Sequence, residues 1–123
     1  MFNETMNKDC TVYKATGFIG KKWSLNILLE IYKNKDSCRY SHLKRQIPPI
    51  TAKVLSLRLK ELENAGLLSH TIDADPTPVR SFYSLTPAGK AFIKIIKDIK
   101  SWTLEYQEDN EHCQATQCQD CKF

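Results

Sequence analysis

The chain has 123 residues, 41% of them hydrophobic and 26% charged, with a formal net charge of +4. That is enough for one compact domain with one core, and no apolar run approaches the roughly 18 residues that a membrane span requires. The opening residues, MFNETMNKDC, lack a basic flank followed by an apolar stretch, so a cytoplasmic protein is expected. "CTVYKATGFIGKKW" begins with a helical pattern in which Val12, Ala15 and Ile19 share a face, and Gly17 and Gly20 weaken its end. "WSLNILLEIYK" is apolar most of the way round, with Trp23, Ile27 and Ile31 on one face and Leu25, Leu28 and Leu29 on another. A helix of that kind is expected at the centre of the core. "NKDSCR" reads as a polar turn.

In "YSHLKRQIPP", Ser41 is expected to cap a short helix, Leu43 and Ile47 match at i, i+4, and Pro48-Pro49 ends it. Thr51 then caps a second helix through "VLSLRLKELENAG", with Gly66 just past its end. Two short helices joined by a tight turn form a helix-turn-helix. "LLSHTI" and "RSFYSL" are predicted strands, and "DADPTPV" is the hairpin loop between them. "TPAGKAF" restarts a helix, with Thr86 as cap and Pro87 at its first position. This last helix is long. Phe92, Ile95, Ile96, Ile99, Trp102 and Tyr106 make a wide apolar stripe, opposed by Lys90, Lys94, Lys97 and Lys100. Residues 1–106 are expected to form one domain, and residues 107–123 a Cys-rich acidic tail.

That order is mainly α with a small β-hairpin, a winged helix-turn-helix. Its second helix would enter the major groove of double-stranded operator DNA, and the hairpin would be the wing. Leu55, Leu59 and Leu62 give this helix a core stripe, and the centre of the opposite side holds Lys53, Leu57 and Lys60. Lysines there can reach phosphates or guanine acceptors, and Leu57 can contact a thymine methyl. Charge points the same way. Residues 33–60 hold eight Lys or Arg and one acid, a net +7, which leaves −3 for the rest. The other candidate DNA contacts are Lys44, Arg45, Thr51, Ser56, Arg58 and, on the wing, Arg80. Arg58 points between core and surface, where a phosphate contact and an intramolecular carboxylate pair are equally open. Asp73 and Asp75 would repel phosphate, so the wing should contribute modestly.

The chain resembles the HxlR-type transcriptional regulators, a branch of the MarR-like winged helices. The features that carry the resemblance run from Cys10 to about Trp102: a cysteine near the N-terminus, "IGKKW" where the family tends to have Ile-Gly-Gly-Lys-Trp, "RYSHLKRQIPPITAKVLSLRLKELENAGLL", and "TPVRSFYSLTPAGK". It departs from the family pattern at Lys21, where glycine is usual, at Thr11, where proline is common, and at Leu57, where a polar residue is frequent. The resemblance implies a homodimer joined mostly through its first and last helices. The six-residue stripe on the last helix, more than so small a core needs, agrees with that. An arginine at the position of Arg80 is implied to enter the minor groove, where it senses width more than sequence.

The sequence shows no phosphate loop, no paired catalytic carboxylates and no nucleophile beside a base, so an enzyme is not expected. His42 and His70 are isolated and read as surface residues. Five cysteines remain as candidates for an input. Cys10 precedes the first helix with Lys8 and Lys14 close by, a setting that favours thiolate. Several members of the resembled family sense oxidants or electrophiles with a cysteine at this position. Cys38 reads as a buried structural thiol. In "HCQATQCQDC", Cys113, Cys118 and Cys121 are candidates for a redox switch. A zinc site or an iron–sulfur cluster is also open, though adjacent His112 and Cys113 would strain joint coordination of one ion, and the bland reading is a tail with free thiols. Two alternatives to a thiol-responsive DNA-binding regulator stay open: a winged-helix module that binds an acidic protein partner, and a regulator that senses metal through the Cys-rich tail.

Overall fold

The structure, a computed structural model, describes residues 8–73, 80–107 and 109–121. α1 spans Thr11–Ile19 and α2 spans Ser24–Lys33. Between them Trp23 takes the left-handed conformation (φ 79°), uncommon for so bulky a residue, with the Lys22 amine 5.0 Å from its ring centroid. Lys21 is not among the described residues with positive φ, so the backbone there does not call for glycine. As its all-round apolar pattern predicted, α2 is central, with Ile27, Leu28 and Ile31 fully buried. It packs against the three longer helices that follow it in the chain and against the sheet.

The stretch read as a turn after α2 contains a strand, β1 (Ser37–Arg39). β1 is too short for any alternation to show. It is made by pairing with β3 (Arg80–Leu85), which is also paired with β2 (Leu68–Asp73), so the sheet is antiparallel in the order β1-β3-β2. Of the loop read as the hairpin connection, 73–79, Asp73 is the last residue of β2, paired with Arg80, and residues 74–79, Asp75 among them, lie outside the described residues.

α3 (Tyr40–Gln46) follows β1 directly. Its N-cap is Arg39, without a side-chain cap bond, so Ser41 lies inside the first turn and not at the cap. Pairing of Ser37–Arg39 with β3 sets the start of this helix two residues earlier than the capping pattern implied. α4 (Ala52–Asn64) begins as predicted, with Thr51 Oγ1 accepting from Val54 N–H at 3.2 Å. It buries Leu55, Leu59 and Leu62, and Gly66 past its end adopts φ +86°. α5 (Pro87–Tyr106) starts on Thr86, whose Oγ1 accepts from Gly89 N–H at 3.1 Å.

The stripe on α5 divides in two. Phe92 and Ile96 are buried in the core together with Ile93, which the stripe did not include, whereas Ile95, Ile99, Trp102 and Tyr106 are exposed along a neighbouring ridge. α1 buries none of its residues, and Val12 is 71% exposed.

Residues read as a tail carry further structure. α6 (Glu111–Ala115) is followed by a 3-10 turn (Cys118–Asp120) that packs on α2, and Cys113 and Cys118 line a cavity with residues of α2 and α5. Lys100 Nζ donates to Thr116 O at 2.9 Å, and Gln119 Nε2 to Tyr32 O at 3.3 Å. With Ala115 and the cysteines as the only apolar side chains of its described part, the segment carried no helical periodicity to announce this.

Candidate nucleic-acid interface

α4 presents one open face. Lys53, Ser56, Leu57 and Lys60 are all exposed on it, Leu57 to 49%, at the spacing i, i+3, i+4, i+7. No acid lies between Ala52 and Lys60, so the N-terminal two-thirds of the helix repels no phosphate. The two acids near its end face other partners. Glu61 Oε1 takes Arg58 Nη1 at 3.1 Å, and Glu63 Oε1 lies 3.9 Å from His70 Nδ1.

The pose of this helix is fixed from two sides. Tyr40 Oη, at the start of α3, donates to Ala52 O at 3.3 Å and lies 3.4 Å from Ser56 Oγ. Arg58 Nε donates to Lys22 O at 2.8 Å. Of the two readings left open for Arg58, the intramolecular carboxylate pair is present: with Nε and Nη1 engaged and its side chain only 15% exposed, it holds α4 to the chain before α2. Sequence reasoning missed Tyr40, because nothing local signals a contact across twelve residues.

The other candidates are distributed around this face. Thr51 Oγ1 is engaged as an acceptor in its cap, which leaves its O–H free to donate. Lys44 is half-buried and Arg45 is exposed on the last turn of α3. Arg80, exposed at the start of β3, stands across the ladder from Asp73, so part of its charge is offset. The basic block of residues 33–60 does not form one surface. Lys33 belongs to α2, 4.0 Å from Glu30, and lines a cavity beside the C-terminal segment. Linear charge density could not show that division.

Neither histidine is isolated. His42 Nε2 lies 3.3 Å from Glu30 Oε2, and His70 stacks on Tyr83 with centroids 4.4 Å apart. Both are half-buried, not surface residues, because each is recruited by a partner distant in sequence or across the sheet.

The model matched over residues 18–111 is that of the HxlR-like helix-turn-helix. The chain belongs to this family. YvaP of Bacillus subtilis, an uncharacterized HTH-type transcriptional regulator, is 37% identical over 93 residues, 76% of this chain and 83% of YvaP. The reduced form of the transcriptional regulator YodB from B. subtilis has TM-score 0.69 and 27% identity, covering 82% of this chain and 97% of YodB. The redox regulator HypR in its oxidized form has TM-score 0.66 and 27% identity, covering 80% of this chain and 99% of HypR. The protein is therefore a transcriptional regulator of the HxlR/MarR winged-helix type and not an enzyme. Among the described residues no helix is long and apolar enough to cross a membrane.

The cysteines of this HxlR-type regulator occupy three environments. Cys10 is exposed at the N-cap of α1. Cys113, Cys118 and Cys121 line one cavity between the C-terminal segment, α2 and α5. Among the described residues, no three His, Cys, Asp or Glu side chains are grouped so as to hold a metal ion. Cys38 is 4% exposed in the sheet, and burial, with Glu30 adding to it, pushes its thiol from 9.0 up to about 12. The folded state thus holds this proton more tightly than the unfolded chain. The stability it contributes is full below pH 9, and it is lost as pH rises from there through about 12. Cys38 is expected to resist alkylation at neutral pH until the protein unfolds. Modification of Cys38 at the rate of Cys10 in native protein would show that the sheet does not exclude reagent.

Proposed function

We propose that this regulator is a homodimer that binds a specific operator with α4 in the major groove, and that the state of its cysteine thiols sets its affinity. The observation that carries the DNA reading is the acid-free face of Lys53, Ser56, Leu57 and Lys60, held rigidly by Tyr40 and Arg58. A major groove admits one helix, and this face offers cations for phosphate or guanine and an aliphatic side chain for a thymine methyl. Lys44, Arg45 and the Thr51 hydroxyl flank it as backbone contacts, and Arg80 supplies a modest wing contact.

The dimer reading rests on the exposed ridge of α5 and on α1, none of whose residues is fully buried and whose Val12 and Tyr13 are exposed. The thiol reading rests on exposed Cys10 at a helix cap and on the three cysteines around one cavity. It draws support from HypR, a redox regulator described in an oxidized form, and from YodB, described in a reduced form.

The test is operator affinity across a salt series, with and without mild oxidant. Lys53→Ala and Lys60→Ala should each lower the salt slope by about one unit if the lost contact is to phosphate. Unchanged slope and affinity in both variants would move the DNA face elsewhere. Oxidation should change the affinity of the unaltered protein. If affinity is the same in both redox states, the thiols do not regulate binding.

A further inference from the structure

The described part of the C-terminal segment, residues 109–121, has no apolar side chain except Ala115 and its cysteines. It nonetheless folds back onto the body, and the cysteines are what it turns inward. Cys113, Cys118 and Cys121 line a cavity of about 520 Å³, whose opposite walls are formed by Leu29 of α2 and by Ile96 and Leu104 of α5. A void of that size lies within the roughly 300–1,000 Å³ of small-molecule sites, which likewise combine apolar walls with a few reactive or polar groups. The structure places Cys121 Sγ 3.9 Å from His112 Nε2, the pairing by which an imidazole activates a sulfur nucleophile. Lys100 lines the cavity as well, and its bond to Thr116 O ties the segment across it. The same cysteines offer no grouping for a shared ion among the described residues, so the chemistry on offer is that of single thiols beside an apolar space.

We propose that this cavity captures a small apolar electrophile, an alkene conjugated to a carbonyl, as a covalent adduct on Cys121. The thiol proton passes to His112 Nε2. The sulfur then bonds to the β-carbon, and the C=C π pair shifts toward the carbonyl. The imidazolium returns the proton to the α-carbon. No group leaves, and no outside oxidant or reductant is required. The hydrophobic walls select the ligand, and the adduct fills the space between α2 and α5. Its regulatory consequence rests on the thiol reading above; the site itself does not.

The probe is N-phenylmaleimide, with the full-length protein labelled under limiting reagent and the adducts mapped by peptide mass spectrometry. Cys121 should label about tenfold faster than exposed Cys10, as expected for base assistance in an apolar site. His112→Gln and the cavity-filling Leu104→Trp should each slow labelling at Cys121 by a similar factor and leave the rate at Cys10 unchanged. Equal rates at Cys10 and Cys121 in the unaltered protein would overturn the proposal, as would a Cys121 rate indifferent to both substitutions. Operator affinity of the labelled protein separates the two readings. Selective labelling of Cys121 with unchanged affinity keeps the site and removes thiol control of DNA binding, whereas changed affinity supports both.

Discussion

Gly89→Ala is expected to lower the unfolding free energy by about 3 kcal/mol, at the upper end of what overpacking costs and a large share of a small domain's stability. Gly89 sits in the first turn of α5, where the helix crosses the chain entering β2. A Cβ there would fall far inside van der Waals contact with Leu67 O and 3.2 Å from Leu85 Cδ2. Leu67 O cannot easily retreat, because it accepts the Thr86 N–H at 3.0 Å, the residue that caps the same helix. Accommodation therefore requires α5 to tilt and its cap to break. Gly17 is the control. It lies inside α1 with nothing within 4 Å of an added Cβ. Gly17→Ala should be neutral or stabilise by up to about 1 kcal/mol. Urea unfolding followed by circular dichroism compares the two, and a Gly89→Ala variant as stable as the parent would deny the close approach.

The second large effect is on assembly. Trp102 is 55% exposed in the single chain, with its ring 5.8 Å from that of Tyr106. Its truncation should therefore leave the fold almost untouched and weaken the proposed dimer. If Trp102 anchors the interface with Ile95 and Ile99, Trp102→Ala should raise the dimer dissociation constant about thirtyfold, the equivalent of roughly 2 kcal/mol. Sedimentation velocity over a concentration series reads this directly. A stable monomer of the unaltered protein at micromolar concentration would remove the dimer from the proposal.

Much of the architecture was legible before any coordinates because its signals are local. Thr51 and Thr86 are caps whose hydroxyls reach three residues ahead, Gly66 takes the positive φ that ends α4, and the apolar periods of α2 and α4 name their buried faces. What escaped was non-local. β1 exists only because β3 pairs with it, Tyr40 matters only because α4 begins where its hydroxyl can reach, and the C-terminal segment is held by bonds from Lys100 and to Tyr32. The α5 stripe shows the limit most clearly. One helical period marked six residues as apolar, but only three-dimensional packing separates those that face the core from those that face outward. For the site, the open face of α4 could be read from spacing. The engagement of Arg58 could not, since its carbonyl partner lies 36 residues earlier.

That last contact has a mechanical meaning. Lys22 lies in the short joint between α1, which Cys10 caps, and α2, and its carbonyl is pinned by Arg58 Nε in the middle of α4. A reorientation of α1 therefore need not propagate through the packed interior to be felt at α4. It can be transmitted through a single rigid strut, anchored at its far end by Glu61. Lysine could keep the charge but not the forked planar geometry that grips a carbonyl and a carboxylate at once. In Arg58→Lys the protein would keep its fold and the exposed face of α4, while the linkage between the joint and α4 would go slack.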